Sequence, residues 1–237
     1  MMKPHYNINI QENNEPLLPI PLEKFAVETP HPYVKLGANY HGLSPYFLRE
    51  TVLNYLIKAQ EYLQEIKPHW QIKIFDAYRP VEVQEFMVNY AFDELVKSRN
   101  LNLVSLTKIE LENLWSEVYK MWAFPTLDPQ MPPPHSTGGA IDITLVNQLG
   151  ETVNMGGEID EISEISYPNY YANSPNIQAQ EYHQNRQLLK TIMTKANFKQ
   201  HPLEWWHFSY GDQMYAWQWD QENSNSQICA CYGRIIN

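Results

Sequence analysis

The segment Ala140–Val146 constrains the fold more than any other part of the chain, because its side chains alternate between two faces. Ile141, Ile143 and Leu145 share one face, whereas Asp142 lies on the other. A period of two residues predicts a β-strand with a buried apolar face. The strand therefore presents Asp142 on the face opposite to the core.

A second predicted strand, at about residues 205–210, repeats this alternation. Trp206 and Phe208 share one face, and His207 lies on the other. If the two strands are neighbours in a sheet, their apolar faces share the core while Asp142 and His207 project together.

Two further polar residues flank these strands at less regular spacings. His135 precedes Asp142 by seven residues, so a continuous strand would point it the wrong way, and the Gly138–Gly139 pair is expected to bend the chain back. Glu204 precedes His207 by three residues, so we expect it on the loop that enters the strand or next to a bulge.

The residue types gathered here are those of a catalytic zinc site. Two imidazoles and one carboxylate, from His135, His207 and Asp142, suit zinc and leave a fourth position open. Glu204 can act as a general base, and Arg79, at the end of a predicted strand, can stabilise an oxyanion. The sequence therefore predicts a zinc hydrolase with one Zn²⁺ per chain.

Apolar periodicity and capping signals give the remaining elements. Helices are predicted at about residues 44–66, 80–95, 107–121 and 178–196. Strands are predicted at about 70–76, 140–146, 205–210 and 214–219, the last two joined by a Gly211–Asp212 hairpin. Helices that cluster early and strands that cluster late predict a single-domain α+β fold. Its antiparallel central sheet carries the zinc site and is flanked by helices.

Proline content divides the chain unevenly. Residues 1–35 are rich in proline and polar groups, which predicts an extended N-terminal arm that wraps residues 36–237. A total of 237 residues with 43% hydrophobic content is typical of one domain with a substantial core.

Composition excludes several function classes. A formal charge of −10 argues against a nucleic-acid or anionic-membrane surface. No secretory signal or bilayer-spanning run is apparent, so a cytoplasmic protein with no membrane or protein partner is expected. Cys229 and Cys231 are interpreted as small apolar residues of a terminal strand rather than a second metal or redox site. The histidines outside the candidate site are interpreted as surface or core-edge residues.

Three motifs together resemble a known family. Phe75–Pro80 reads FDAYRP, His135 and Asp142 form His-x6-Asp, and residues 204–207 read EWWH. This set resembles the VanX-type D-alanyl-D-alanine dipeptidases, zinc peptidases whose family also includes D-alanyl-D-alanine carboxypeptidases and the hedgehog domain. The resemblance covers roughly residues 33–210. It implies zinc on the three ligands named above, Glu204 as catalytic base and Arg79 as transition-state stabiliser.

The resemblance also implies a set of substrate contacts. Asp160 is placed to hold the free amino group of the substrate, and Tyr33 belongs to the substrate-side segment. Pro133 stands where the family usually has a serine, so Ser136 or Thr137 is expected to supply the missing hydroxyl.

The expected activity is hydrolysis of D-alanyl-D-alanine or a similar small dipeptide with a free amino end. Two alternatives stay open. One is a D,D- or L,D-carboxypeptidase that trims muropeptides; the other is a zinc-stabilised binding module without catalysis. The retained pair Glu204 and Arg79 argues against the binding module, since a purely structural zinc needs neither.

Overall fold

The computed structural model describes residues 3–223 and 227–236. The α-helices in these ranges are α1 (Pro32–Leu36), α2 (Glu50–Ile66), α3 (Val81–Ser98), α4 (Lys108–Met121), α5 (Ile177–Lys195) and α6 (Gln213–Glu222). The strands are β1 (Leu17–Pro19), β2 (Ala26–Val27), β3 (Phe47–Arg49), β4 (Gln71–Asp76), β5 (Ala140–Val146), β6 (Lys199–Gln200) and β7 (His207–Ser209).

The main sheet has the strand order β2-β4-β5-β7-β6, and β1 pairs with β3 in a small second sheet. The fold class is mixed α and β in one domain, as predicted, but the prediction of a purely antiparallel central sheet was wrong. Strand β2 runs parallel to β4, whereas the other pairs of the main sheet are antiparallel. A parallel pair needs a long crossover, and the segment containing α2 supplies it.

Strand β5 lies at the centre of the sheet, and all of its residues are buried. Its apolar face packs with β4, α2 and α5 in the larger of two hydrophobic clusters, where Ile141, Ile143 and Leu145 are fully buried. Each such side chain contributes about 1.5–3 kcal/mol to folding. The second cluster joins α3 and α4 to Tyr33 and Trp122.

A bulge in β4 changes which face its last residue occupies. Ile74 pairs with Ile143 on the core side, and Asp76, two residues later, pairs with Asp142 on the polar side. The register shift between Ile74 and Asp76 makes this possible, since regular alternation would keep both on one face. The bulge therefore brings a second buried carboxylate to the polar face.

Helix α2 begins later than its capping signal predicted. Ser44 and Pro45 were expected to open it, but the helix begins at Glu50 and ends at Ile66 as predicted. Residues 47–49 form β3 instead, and Arg49 N donates to Gly138 O. Pairing with β1 keeps this stretch extended.

The predicted strand at residues 214–219 was also wrong, because this stretch belongs to helix α6. Gly211 adopts a positive φ of 73°, and the Asp212 side chain accepts a hydrogen bond from Tyr215 N at 2.8 Å. Gly211 and Asp212 therefore end one strand and cap a helix rather than form a hairpin.

Other predicted elements are confirmed. The Thr107 hydroxyl and Glu110 form a reciprocal capping box at the start of α4, and α3 and α5 lie within a few residues of their predicted bounds. Strand β7 is shorter than predicted, so Glu204 lies on the loop before it, as expected.

The chain ends are tied to the domain. The first 35 residues include β1, β2 and α1, and Ile10 bridges to Ala230 near the C-terminus. The domain boundary at residue 35 stays a prediction. In the described ranges, the helices lack the combination of length and apolar character needed to cross a membrane.

Candidate active site

Three side chains from separate elements meet on the polar face of the sheet. Asp142 of β5 and His207 of β7 are direct cross-strand partners, as the alternation predicted. His135 lies on a 3-10 helix, Pro134–Thr137, which precedes β5. Gly138 ends that helix with a positive φ of 72°, so the chain turns as its glycine pair predicted.

The donor atoms of this group have the spacing of metal ligands. His135 Nε2 lies 3.2 Å from His207 Nδ1 and 3.1 Å from Asp142 Oδ2, and His207 Nδ1 lies 3.0 Å from Asp142 Oδ1. Atoms bound to one tetrahedral zinc lie about 3.3 Å apart. Asp142 Oδ1 is buried without a well-aligned hydrogen bond, although His207 Nδ1 is close. The group therefore fits a divalent metal better than an internal hydrogen-bond network.

The second nitrogen of each imidazole is oriented by the protein. His135 Nδ1 lies 2.8 Å from Ala77 O, to which it can donate, leaving Nε2 free as a ligand. His207 Nε2 lies 3.3 Å from Ser209 Oγ, which donates to Asp212 Oδ2 at 2.8 Å. Asp212 also caps α6, so the helix and the imidazole are fixed by one carboxylate.

Burial and the neighbouring imidazoles act against each other on Asp142. Burial alone would raise its pKa, but His135 and His207 hold the pKa well below its ordinary value. Asp142 is therefore a carboxylate at neutral pH, which is the form that binds metals.

Glu204 lies beside the three-residue group and is buried. Its Oε2 is 3.7 Å from His207 Nδ1, and its Oε1 is 3.7 Å from His201 Nδ1. Burial raises the pKa of Glu204 to about 7, helped by the charge of Asp142 and opposed by that of His207. A carboxylate with a pKa near neutrality is suited to accept and return a proton.

Arg79 is the buried cation of the site. Its Nε donates to Asp76 Oδ2 at 2.8 Å and its Nη1 to Gln84 Oε1 at 2.7 Å. Its Nη2 donates to Tyr33 Oη at 3.0 Å and to Asp142 Oδ2 at 3.3 Å. Such fixed donors on a cavity wall can stabilise negative charge that develops in a reaction.

Asp76 accepts a hydrogen bond from Arg79 and fixes its position. It is fully buried and accepts from the Tyr40 hydroxyl at 3.1 Å, while His31 Nε2 lies 3.2 Å away. Burial would raise the pKa of Asp76, but Arg79, His31 and His135 lower it to about 2. Asp76 belongs to the FDAYRP motif, yet the sequence analysis assigned it no role; only its place in that motif could have indicated one.

Asp160 also lines the cavity, and the buried Tyr33 contacts it through a hydrogen bond. The Tyr33 hydroxyl donates to Asp160 Oδ2 at 2.9 Å, and Asp160 has a positive φ of 68°. Burial and the negative charge of Asp142 raise the pKa of Asp160 to about 8, against the charge of Arg79. A ligand ammonium group at this position would favour its ionised form.

The structure does not bring the Ser136 hydroxyl to the cavity. Ser136 is buried, and its Oγ donates to Pro133 O at 2.7 Å. The Thr137 hydroxyl donates to Pro134 O at 2.6 Å. Neither residue is among those that line the cavity around His135, Asp142 and His207, and the expectation that one of them replaces the hydroxyl lost at Pro133 stays a prediction.

The cavity itself contains residues that the sequence analysis missed. It lies around His135, Asp142 and His207, and Arg79, Asp160 and Glu204 also line it. His5 and His201 line it together with Lys3. His5, His31 and His201 are buried, so they are not the surface residues that the interpretation allowed for. His201 precedes Glu204 by three residues, a spacing that offered some signal, whereas Lys3 and His5 offered none.

Comparison with known proteins gives one consistent result. The profile of the D-ala-D-ala dipeptidase family, Peptidase M15, matches residues 27–225. A D-alanyl-D-alanine dipeptidase of Synechocystis sp. is 50% identical over 99% of this chain and 97% of its own length. One of Enterococcus faecium is 42% identical over 34% of this chain and 38% of its own length. A D-alanyl-D-alanine dipeptidase of Escherichia coli is 40% identical over 31% of this chain and 36% of its own length.

Proposed function

Because the chain belongs to the Peptidase M15 family of D-ala-D-ala dipeptidases, we propose that it hydrolyses D-alanyl-D-alanine with one bound zinc ion. A similar small dipeptide with a free amino end is the wider substrate class. The observation that carries the proposal is the cross-strand pair of Asp142 and His207, completed by His135 and flanked by the buried carboxylate of Glu204.

His135, Asp142 and His207 would hold the zinc. Bound there, zinc supplies a Lewis acid that polarises the scissile carbonyl and acidifies a water molecule. The Ala77 carbonyl and Ser209 keep the ring nitrogens of the two histidines in the tautomer that binds metal.

Glu204 serves as the general base and then the general acid. Its carboxylate accepts the proton of the attacking water and returns it to the nitrogen of the leaving amino acid. Burial, which brings its pKa to about 7, makes both transfers accessible near neutral pH.

Arg79 stabilises the negative charge that develops on the carbonyl oxygen. Its guanidinium is locked by Asp76, Gln84 and Tyr33, so little reorganisation is needed during the reaction. A fixed donor of this kind is worth about 3 kcal/mol of the barrier.

Asp160 receives the free amino group of the substrate, and the Tyr33 hydroxyl holds the carboxylate in place. Peptides whose amino end is blocked would leave this carboxylate buried and unpaired, which is costly. Asp160 therefore favours dipeptides over the blocked, longer substrates of a carboxypeptidase.

A cytoplasmic location follows as part of the same proposal, since a pocket confined to dipeptides spares the longer peptides of the cell wall. Fractionation of cells that express the full chain tests it. Recovery of the enzyme outside the cytoplasm would refute this location.

A substrate panel tests the proposed activity. The zinc-loaded protein is incubated with D-Ala-D-Ala, L-Ala-D-Ala, L-Ala-L-Ala and an N-acetylated tripeptide ending in D-Ala-D-Ala. The expected result is the fastest cleavage of D-Ala-D-Ala, with the acetylated tripeptide spared. Preferred cleavage of the tripeptide would show a carboxypeptidase. No cleavage by a zinc-bound protein would show the non-catalytic module.

A further inference from the structure

The N-terminal segment of the described chain forms part of the wall of the catalytic cavity. Lys3 and His5 line the same cavity as Glu204 and His207. They lie at the start of a 3-10 helix, Pro4–Asn7, which packs on α6. Since the family profile begins at residue 27, this wall lies outside the matched region.

Backbone hydrogen bonds to the C-terminal tail fix the segment in place. Gln11 N donates to Ala230 O at 2.8 Å, and Ala230 N donates to Asn9 O at 2.9 Å. The Gln213 side chain donates to Ile8 O at 2.7 Å. The position of Lys3 and His5 is thus set by a built contact between the chain ends and α6.

One buried polar atom on this wall, His5 Nε2, lacks a protein partner among the described residues. His5 is 3% exposed, and its Nε2 has no hydrogen-bond partner among the described residues. Burial, together with the charges of Lys3 and His207, lowers the pKa of His5 to about 3, so its ring is neutral and carries one N–H donor. Burial also lowers the pKa of Lys3, whereas the charge of Glu204 opposes that shift.

The residues that line the cavity offer a partner for each charge of a free dipeptide. Asp160 is a carboxyl group beside Tyr33 and Arg79, and Lys3 belongs to the same lining as Glu204. A free dipeptide carries an ammonium group and a carboxylate about 7 Å apart when extended. With its amino end at Asp160 and its peptide bond at Glu204, its carboxylate would be available to Lys3.

Arg79 has little capacity left for the substrate carboxylate. Four of its five N–H groups donate to Asp76, Gln84, Tyr33 and Asp142, and the remaining one, on Nη1, is left for the developing oxyanion. Among the described residues that line the cavity, Lys3 is the other lysine or arginine. A substrate carboxylate that entered the cavity without a cation would lose its hydration at a large cost.

We propose that Lys3 and His5 bind the C-terminal carboxylate of the dipeptide, with the Lys3 ammonium and the His5 ring N–H each donating to one oxygen. The inference rests on the proposed peptidase function, but it does not depend on which dipeptide is preferred. It makes the N-terminal segment a specificity element that selects a free carboxyl end.

The test compares a dipeptide with its C-terminal amide, using whichever dipeptide of the panel the wild type cleaves best. The variants, all in the zinc-loaded full-length chain, are Lys3→Met, which keeps the apolar stem, and Lys3→Arg, which keeps the charge. Lys24→Met, at an exposed position of the same N-terminal region, is the matched control. The loss of one charged hydrogen bond to the substrate carboxylate is expected to raise KM by about tenfold to a hundredfold.

Lys3→Met is expected to raise KM for the free dipeptide by that factor, with little change in kcat and no change for the amide. Lys3→Arg should retain most of the preference for the free dipeptide over its amide. Lys24→Met should retain the full preference. An equal loss on both substrates, or no loss on either, would overturn the assignment of Lys3. If Lys3→Met does not fold, as judged by circular dichroism, KM for the free dipeptide and for its amide is compared in Lys3→Gln instead. A wild type that cleaves no dipeptide would instead refute the proposed function.

Discussion

The candidate metal group (His135, Asp142 and His207) and the walls of the cavity around it are built from different kinds of structure. Asp142 and His207 are fixed by the backbone register of two paired strands, which alternation in the sequence already specifies. The walls come from the N-terminal segment and from Asp160 on an irregular loop, whereas Arg79 contacts Asp142 beside the group itself. The walls are held by backbone and side-chain hydrogen bonds between residues distant in sequence.

This difference separates chemistry from selectivity. A change beside the metal group should alter turnover while the sheet keeps its register. A change in the walls should mainly alter which substrate binds, because these residues are proposed to contact the two ends of the substrate.

Glu204→Gln should lower kcat by about 10²–10⁴-fold, since the amide cannot accept the proton of the attacking water. Zinc content should be unchanged because Glu204 is not one of the three candidate ligands. Steady-state kinetics with metal analysis measures both. Retained turnover would assign the base to another group, and lost zinc would make Glu204 a ligand.

Arg79→Lys should lower kcat by about 100-fold with a small effect on KM, because lysine keeps the charge but loses the fixed fork of donors. Replacing Arg79 by an apolar residue would leave two buried carboxylates, Asp76 and Asp142, without their cation. The loss of folding stability would then mask any effect on catalysis. Arg99→Lys is the control, since its ion pair with Glu117 is exposed. Equal kcat values in Arg79→Lys and Arg99→Lys would show that Arg79 has a structural role and does not stabilise the transition state.

Asp160→Asn should raise KM for free dipeptides by about tenfold and leave kcat nearly unchanged, because the amide removes the charge that pairs with the substrate amine. The hydrogen bond from Tyr33 can persist, which limits structural damage. Initial-rate measurements with a free and an N-acetylated dipeptide distinguish the roles. The same loss on both substrates would refute an amine-binding role.

Ser209→Ala should weaken zinc binding by about tenfold, because it removes the link between His207 and Asp212. Competition with a zinc indicator dye measures the change in Kd. Ser98→Ala, at the end of α3 and remote from the ligands in the chain, is the control. Equal Kd values in the two variants would show that this link does not orient the imidazole.

The metal group could be predicted from the sequence because strand periodicity is a local property. Alternation placed Asp142 and His207 together, the glycine pair explained the turn after His135, and the odd spacing put Glu204 on a loop. Each conclusion required only a few neighbouring residues and the pleat of a strand.

The other residues of the site and the helix α6 could not be predicted from the sequence, because their positions depend on contacts beyond the local pattern. Asp76 reaches the polar face through a bulge, and Lys3 and His5 reach the cavity through pairing of the chain ends. The predicted strand at 214–219 failed because Asp212 supplies a helix cap in a stretch where aromatic residues alternate. Local patterns do not encode these contacts.

Zinc dependence of turnover tests the central claim most directly. The full-length protein is stripped with a chelator, reloaded with measured zinc, and assayed for release of D-alanine from D-Ala-D-Ala. Turnover should disappear on stripping and return in proportion to zinc, reaching its maximum at about one ion per chain. A His135→Ala, His207→Ala double variant should fail to recover at the same zinc concentration. Full D-alanine release by the metal-free protein, or by that variant, would contradict the three-residue group as the reaction centre.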